Sequence, residues 1–99
     1  MLSDELAKIC DQVVAELDEL RMSANPPKAS NDFWLHLFFN LREIKSSAGD
    51  YDRAMRHYES MLASMTRIGP LISTESLEIL GCAMDVWRRA KTREARRTR

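Results

Sequence analysis

The sequence predicts an all-α protein, a compact bundle of about four helices formed by one domain. Its 99 residues are 44% hydrophobic and 30% charged, with only three glycines and three prolines. That composition is too apolar for a disordered chain and too poor in turn residues for a β-sandwich. Apolar residues recur at intervals of three and four, which is the spacing of one helix face. Stop signals divide the chain into four such segments, so helices are predicted over residues 3–22, 31–48, 51–68 and 74–92.

The first predicted helix has a single apolar stripe. Leu6, Cys10, Val13, Leu17 and Leu20 follow one another at spacings of four and three residues. Residues with this spacing share one helix face, and acidic residues fill much of the opposite face. Two consecutive prolines, at positions 26 and 27, then stop the helix and form a linker, because proline cannot extend a helix interior.

The second predicted helix is apolar nearly all round in its first half. A helix of this kind is buried on several sides. Its short neighbours are expected to leave part of it uncovered, and exposed apolar surface indicates an interface. Phe33, Trp34 and Phe39 are therefore predicted protein-interface residues. The third helix adds Met61 and Met65, whose flexible side chains suit either an adaptable interface or core filling.

Gly49 and Asp50 separate the second and third helices. Glycine commonly takes a positive φ just after a helix end, and aspartate is a good N-cap for the next helix. A turn this short predicts a tight antiparallel hairpin. The dipeptide Gly69-Pro70 is then predicted to end the third helix.

The fourth predicted helix carries a core line that stops before the chain does. The line runs from Leu77 to Trp87, and Gly81 beside it allows a neighbouring helix to approach closely. After position 90 the apolar line ends while good helix formers continue. Residues 1–90 are thus predicted as a single helical domain, and residues 91–99 as a basic tail or an extension of the helix.

The chain has no net charge, but acids dominate residues 1–22 and bases dominate residues 86–99. Arg89 and Arg93 share one helix face with either Arg96 or Arg97, and guanidinium groups at this spacing are able to follow a phosphate backbone. No base-reading motif accompanies them, so contact with DNA or RNA is expected to be independent of sequence. The alternative is a solvated tail whose cations favour the helix C-terminus. Contact with phosphate or with an acidic protein surface is predicted for Arg88, Arg89, Lys91, Arg93, Arg96 and Arg97.

A second basic group surrounds the turn between the second and third helices. Contact with phosphate or an acidic surface is also predicted for Arg42, Lys45, Arg53 and Arg56. The preferred alternative is that these bases pair with acids of the same hairpin, because oppositely charged residues three or four apart face each other on a helix. The acids in question are Glu43, Asp50, Asp52 and Glu59.

One segment of the chain follows a known repeat pattern. An aromatic residue and a leucine precede a Gly-x-Tyr turn, which an alanine, an aromatic residue and a leucine follow. These positions are Phe38, Leu41, Gly49, Tyr51, Ala54, Tyr58 and Leu62. Residues 38–62 thereby resemble the tetratricopeptide repeat, which implies a helical hairpin with a protein-binding groove. In size, helicity and use of charged surface, the chain is also similar to small helical subunits of CRISPR effector complexes. That similarity implies packing beside other subunits along a nucleic-acid path.

No residue pattern points to catalysis or to a bound metal. His36 and His57 are the only histidines, and neither has a further His, Cys or carboxylate at metal-site spacing. Nucleophilic catalysis requires a base held in place by a third group, and no known motif of that kind is present. The protein is therefore predicted not to be an enzyme and to need no cofactor, metal or small-molecule substrate.

Cys10 and Cys82 both fall on apolar helix faces. They are predicted to be buried, reduced thiols, which is typical of cysteines in a reducing compartment. No hydrophobic run approaches the length of a membrane span. A cytoplasmic protein without membrane contact is the expectation.

These features favour a small non-catalytic subunit of a larger assembly, with a nucleoprotein complex as the first interpretation. Its predicted partners are other protein subunits or further copies of itself, together with DNA or RNA. The alternative is a protein–protein adaptor or inhibitor that uses the tetratricopeptide-like groove. Phosphate contacts weaken steeply with salt while an apolar groove does not, so salt dependence separates the two interpretations.

Overall fold

The computed structural model describes residues 2–47, 49–67, 72 and 74–97. Within these residues the chain forms helices and no strand, which confirms the predicted all-α bundle of about four helices. The predicted helix ends at residues 48 and 68 and the break at Gly69-Pro70 lie outside the described residues. The observed helices are α1 (Leu2–Arg21), α2 (Asn31–Ser46), α3 (Tyr51–Arg67) and α4 (Glu75–Arg97).

The four helices pack as a ring in the order α4, α1, α2, α3. Helix α1 packs against both α4 and α2, and α2 packs against α3. Among the described residues the diagonal pairs, α1 with α3 and α2 with α4, make no backbone-level contact. The apolar stripe of α1 forms the centre of the core, because Leu6, Cys10, Val13 and Leu17 are all buried. This stripe was predicted from its spacing, and burying it provides much of the hydrophobic stabilisation of the bundle.

Three helices begin at side-chain caps. The backbone N–H of Phe33 donates to Ser30 Oγ over 3.2 Å at the start of α2. Asp50 accepts from Arg53 N over 3.2 Å at the start of α3, as predicted for its N-cap. Thr74 Oγ1 accepts from the third N–H of α4 over the same distance. Each cap satisfies a backbone donor that has no partner inside its helix.

The prediction of a positive φ at Gly49 is wrong, since no described glycine has one. The chain instead reverses over several residues. Ser47 caps the C-terminus of α2, and its carbonyl accepts from Asp50 N over 2.8 Å. The Asp50 N–H thus finds its acceptor without a left-handed conformation at Gly49.

Helices α3 and α4 meet through a few specific side chains. A Cβ atom added at Gly81 would lie 2.9 Å from the Tyr58 hydroxyl, so glycine leaves room for the end of the tyrosine side chain. Further along the pair, Tyr51 and Trp87 pack edge to face with ring centroids 5.1 Å apart. Beyond Trp87 every described side chain is exposed, although α4 continues to Arg97. Residues 91–97 are therefore an extension of the helix.

None of the described helices has both the length and the apolarity that crossing a membrane requires.

Candidate nucleic-acid interface

The last part of α4, residues 88–97, forms a basic arm. It contains six bases and one acid, Glu94. The arm stays helical because arginine, lysine, glutamate and alanine have good helix propensity. Its cations also lie at the helix C-terminus, where the backbone dipole favours positive charge.

The cations of the basic arm differ in their local pairing. Asp85 binds both Arg88 and Arg89, with 3.0 Å between its Oδ2 atom and Arg89 Nη2. Lys91 Nζ lies 3.9 Å from a carboxylate oxygen of Glu94. Arg93 and Arg96 form no ion pair with any residue that the structure describes. Their charge is therefore available to an external anion.

Five side chains of the arm border one shallow depression. The predicted stripe Arg89, Arg93 and Arg96 forms one side of it, and the structure adds a hydroxyl between them. The residues that line the depression are Arg88, Arg89, Thr92, Arg93 and Arg96. Lys91 lies on another face of the arm, and the side chain of Arg97 is outside the described residues.

The second basic group divides into paired and unpaired residues. Lys45 Nζ lies 2.8 Å from Asp11 Oδ1 and so joins α2 to α1. Arg53 Nη2 lies 2.8 Å from Glu43 Oε2 and joins α3 to α2. The predicted internal pairing therefore holds for Arg53 with Glu43, whereas Lys45 uses an acid of α1.

Arg42 and Arg56 of this group are exposed and have no ion-pair partner within the described ranges. They belong to α2 and α3, and α2 is diagonal to α4 across the bundle. Helix α3 packs against α4, and Arg88 lines the same groove as Met55 of α3. The second basic group therefore lies on α2 and α3, of which only α3 adjoins the basic arm.

Four of the five predicted interface residues are buried inside the protein, which corrects that prediction. Phe33 and Trp34 are each 5% exposed, Met65 is 6% exposed and Met61 is fully covered. The bundle covers both aromatics, whose rings also pack edge to face 5.8 Å apart. The two methionines fill the core, which is the role that the sequence favoured for them. Only Phe39, which is 53% exposed, remains on the surface.

The exposed apolar face of α2 includes a residue that sequence reasoning missed. Leu35 is 65% exposed and lies four residues before Phe39, so both share the outer face of α2. The i, i+4 spacing was present in the sequence. It was hidden because apolar residues surround this half of α2, and periodicity alone does not indicate which of them a neighbour covers.

The two histidines belong to a polar network that joins α2 to α3. Asn40 is buried, and its amide nitrogen donates to the His36 carbonyl over 2.9 Å. Its amide oxygen accepts from His57 Nδ1 over 3.1 Å. His36 Nε2 lies 3.4 Å from Ser60 Oγ. The network satisfies the buried amide and aligns the hairpin.

Over the described residues, no group of three His, Cys, Asp or Glu side chains is placed to hold a metal ion. Cys10 is buried, as predicted, and burial together with the neighbouring charge of Asp11 raises the pKa of its thiol to about 11. Cys82 is exposed, which contradicts the prediction that both thiols are buried. It follows Gly81 on α4, on a face that the described neighbours leave exposed.

A groove runs between α3 and α4 where the two helices diverge beside the Tyr58–Gly81 contact. Its apolar lining includes Met55, Leu62 and Met84, and Leu62 is 37% exposed. Tyr58 divides the groove into two parts, since it borders depressions on both sides. This groove lies beside the tetratricopeptide-like hairpin and not between its own two helices.

Comparisons with protein-family models, with curated proteins and with solved structures find no match to this chain.

Proposed function

We propose that this protein is a non-catalytic subunit of a nucleoprotein assembly that contacts the phosphate backbone of DNA or RNA through the basic arm. The observation that carries the proposal is the pair Arg93 and Arg96, which lie on one exposed helix face without an acidic partner in the described part of the chain. Cations of this kind release counterions from the nucleic acid when they bind phosphate.

The shape and composition of the arm support sequence-independent contact. Beyond Trp87 the helix has no covered side, so a phosphate backbone is able to approach it from several directions. Residues 88–97 contain no asparagine or glutamine, the side chains that pair bidentately with adenine. Arginine binds phosphate well, because its planar guanidinium group presents a rigid fork of N–H donors. Arginine also pairs bidentately with guanine, but no base-reading motif accompanies these arginines, so we expect contact with the backbone and not with the bases.

The test is a salt titration of binding to a mixed-sequence duplex and to its scrambled version. The double variant Arg93→Gln/Arg96→Gln should bind both duplexes more weakly, and equally so, because it loses two phosphate contacts. The slope of log affinity against log salt concentration should fall by up to about 2.

The matched control is Lys28→Gln/Arg67→Gln, which removes the same charge from exposed positions outside the arm. This control should keep the wild-type slope. If both double variants reduce the slope equally, overall charge and not the arm drives binding. If wild-type protein binds neither duplex at low salt, the proposal fails.

The groove between α3 and α4 favours a second candidate function, that of a protein–protein adaptor. Its methionine and leucine lining suits the apolar face of a partner helix, and methionine adapts to varied shapes. Binding there should change little with salt. Leu62→Asp, at the exposed edge of the groove, should abolish adaptor binding and leave the nucleic-acid slope unchanged.

A further inference from the structure

A surface patch on α2 and α3 combines an aromatic ring with two cations. We call Phe39, Arg42 and Arg56 the stacking patch. Phe39 is 53% exposed, and Arg42 lies three residues later, on the same face of α2. Arg56 of α3 directly precedes His57, whose ring meets the Phe39 ring edge to face at 5.9 Å.

The Phe39 ring contacts a side chain of the neighbouring helix α3. His57 contacts it edge to face, and the Nδ1 atom of His57 is itself bonded to the buried Asn40 over 3.1 Å. A ring fixed in this way loses little conformational entropy when a flat ligand stacks on its open face. The open face of the ring thus provides a preorganised platform.

The charge around the ring indicates what kind of ligand the platform suits. The neighbouring cations Lys45 and Arg53 are neutralised by Asp11 and Glu43. Arg42 and Arg56 form no ion pair within the described residues. The exposed ring is therefore accompanied by two free cations, an arrangement that suits a flat base attached to a phosphate backbone.

We infer that the stacking patch binds single-stranded nucleic acid, with an unpaired base on Phe39 and the adjoining phosphates at Arg42 and Arg56. A duplex keeps its bases stacked on each other, so only a single strand presents a free base face to the ring. The inference rests on the proposed function. It adds a preference for single strands that the basic arm, which contacts phosphate alone, does not have.

The experiment measures binding of a short labelled oligothymidine, and of a duplex of the same length, to the full chain, to three variants of α2 and to the arm variant Arg93→Gln/Arg96→Gln. Phe39→Ala should weaken binding of the single strand roughly 5- to 150-fold, the range for loss of one stacked base. Binding of the duplex should not change. Phe39→Tyr keeps a π face and should keep the wild-type affinity.

The matched control is Leu35→Ala, which removes an even more exposed apolar side chain one turn away on the same helix. It should leave single-strand binding unchanged, because leucine offers no π face. Since Leu35 and Phe39 are both exposed, the variants should fold, and far-ultraviolet circular dichroism checks this.

Two outcomes overturn the stacking inference alone. One is that Leu35→Ala weakens single-strand binding as much as Phe39→Ala, which would indicate a general apolar docking surface. The other is that Phe39→Ala leaves single-strand binding intact while the arm variant Arg93→Gln/Arg96→Gln weakens it. Absence of wild-type binding to both oligonucleotides overturns the proposed function together with the inference.

Discussion

At the scale of single residues, the cations of this protein differ in what they are free to bind. Lys45 and Arg53 each join two helices through an ion pair, so their charges are already used within the bundle. Exposed pairs of this kind contribute about 0–1 kcal/mol to stability, but they leave little charge for a ligand. Arg93 and Arg96 have no such pair in the described residues, and the proposed function depends on that difference.

A carboxylate that the sequence did not single out connects α1 to the start of α4. The Ser76 backbone N–H donates to Glu16 Oε2 over 3.1 Å. Desolvation raises the pKa of Glu16, but hydrogen bonds from Thr74 and Ser76 outweigh it, so the pKa lies below its ordinary value of 4.5. A depressed pKa in the folded state means that the ionised carboxylate stabilises the fold above the pKa of the unfolded chain. This contribution is lost as the pH falls through the folded-state pKa.

We therefore expect Glu16→Gln to lower the thermal midpoint at pH 7 and to have less effect in acid. Glutamine keeps an oxygen that accepts the Ser76 N–H but removes the charge near the positive end of α4. Thermal melts of wild type and variant from pH 7 to pH 3 measure the effect. The difference between their midpoints should shrink below about pH 4.5. A difference that stays constant down to pH 3 would show that the charge contributes nothing.

At the scale of elements, helices with one apolar stripe were predicted more accurately than the helix that is apolar all round. The 4-3 spacing in α1 leaves a single way to bury Leu6, Cys10, Val13 and Leu17, and all four are buried. In α2 the same reasoning failed for Phe33 and Trp34, because their burial depends on where α1 and α3 lie. The backbone conformation of the turn at Gly49 also depends on how α2 and α3 pack. The presence of a glycine at this position was therefore not enough to predict its φ.

The two tryptophans give a test of the observed packing of α2 and α4. Trp34 is 5% exposed and belongs to the core, whereas Trp87 is only partly buried and packs on Tyr51 at its edge. Trp34→Ala should cost about 3–5 kcal/mol of unfolding free energy. Trp87→Ala should cost less, ~1–2 kcal/mol. Urea unfolding of both variants decides this. A larger loss of unfolding free energy for Trp87→Ala than for Trp34→Ala would contradict the observed packing. It would agree instead with the expectation from the sequence, in which Trp34 was an interface residue.

At the scale of the whole molecule, stability and proposed binding are located in different parts. The core lies among the four helices and ends near Trp87, while the basic arm extends past it with every described side chain exposed. The molecule is 53 Å along its longest axis and 25 Å across the next. The stacking patch lies on α2 and α3, and α2 is the helix diagonal to α4. The stacking patch and the pair Arg93 and Arg96 share no ion pair among the described residues, so we expect the two surfaces to contribute independently.

Deletion of residues 91–99 tests whether the arm is separate from the fold. The side chains that the structure describes in this segment are exposed, and the ion pair of Lys91 with Glu94 has both partners largely exposed. Pairs of this kind contribute about 0–1 kcal/mol. The thermal midpoint should therefore shift by no more than a few degrees, since 1 kcal/mol corresponds to roughly 4–8 °C in a domain of this size. The helical circular dichroism signal should fall in proportion to the lost residues, because α4 is helical as far as Arg97.

A loss of cooperative melting would contradict this prediction and show that the arm packs on the bundle. If the fold is retained, weaker binding of the truncated protein to duplex DNA at low salt is attributable to the missing cations alone.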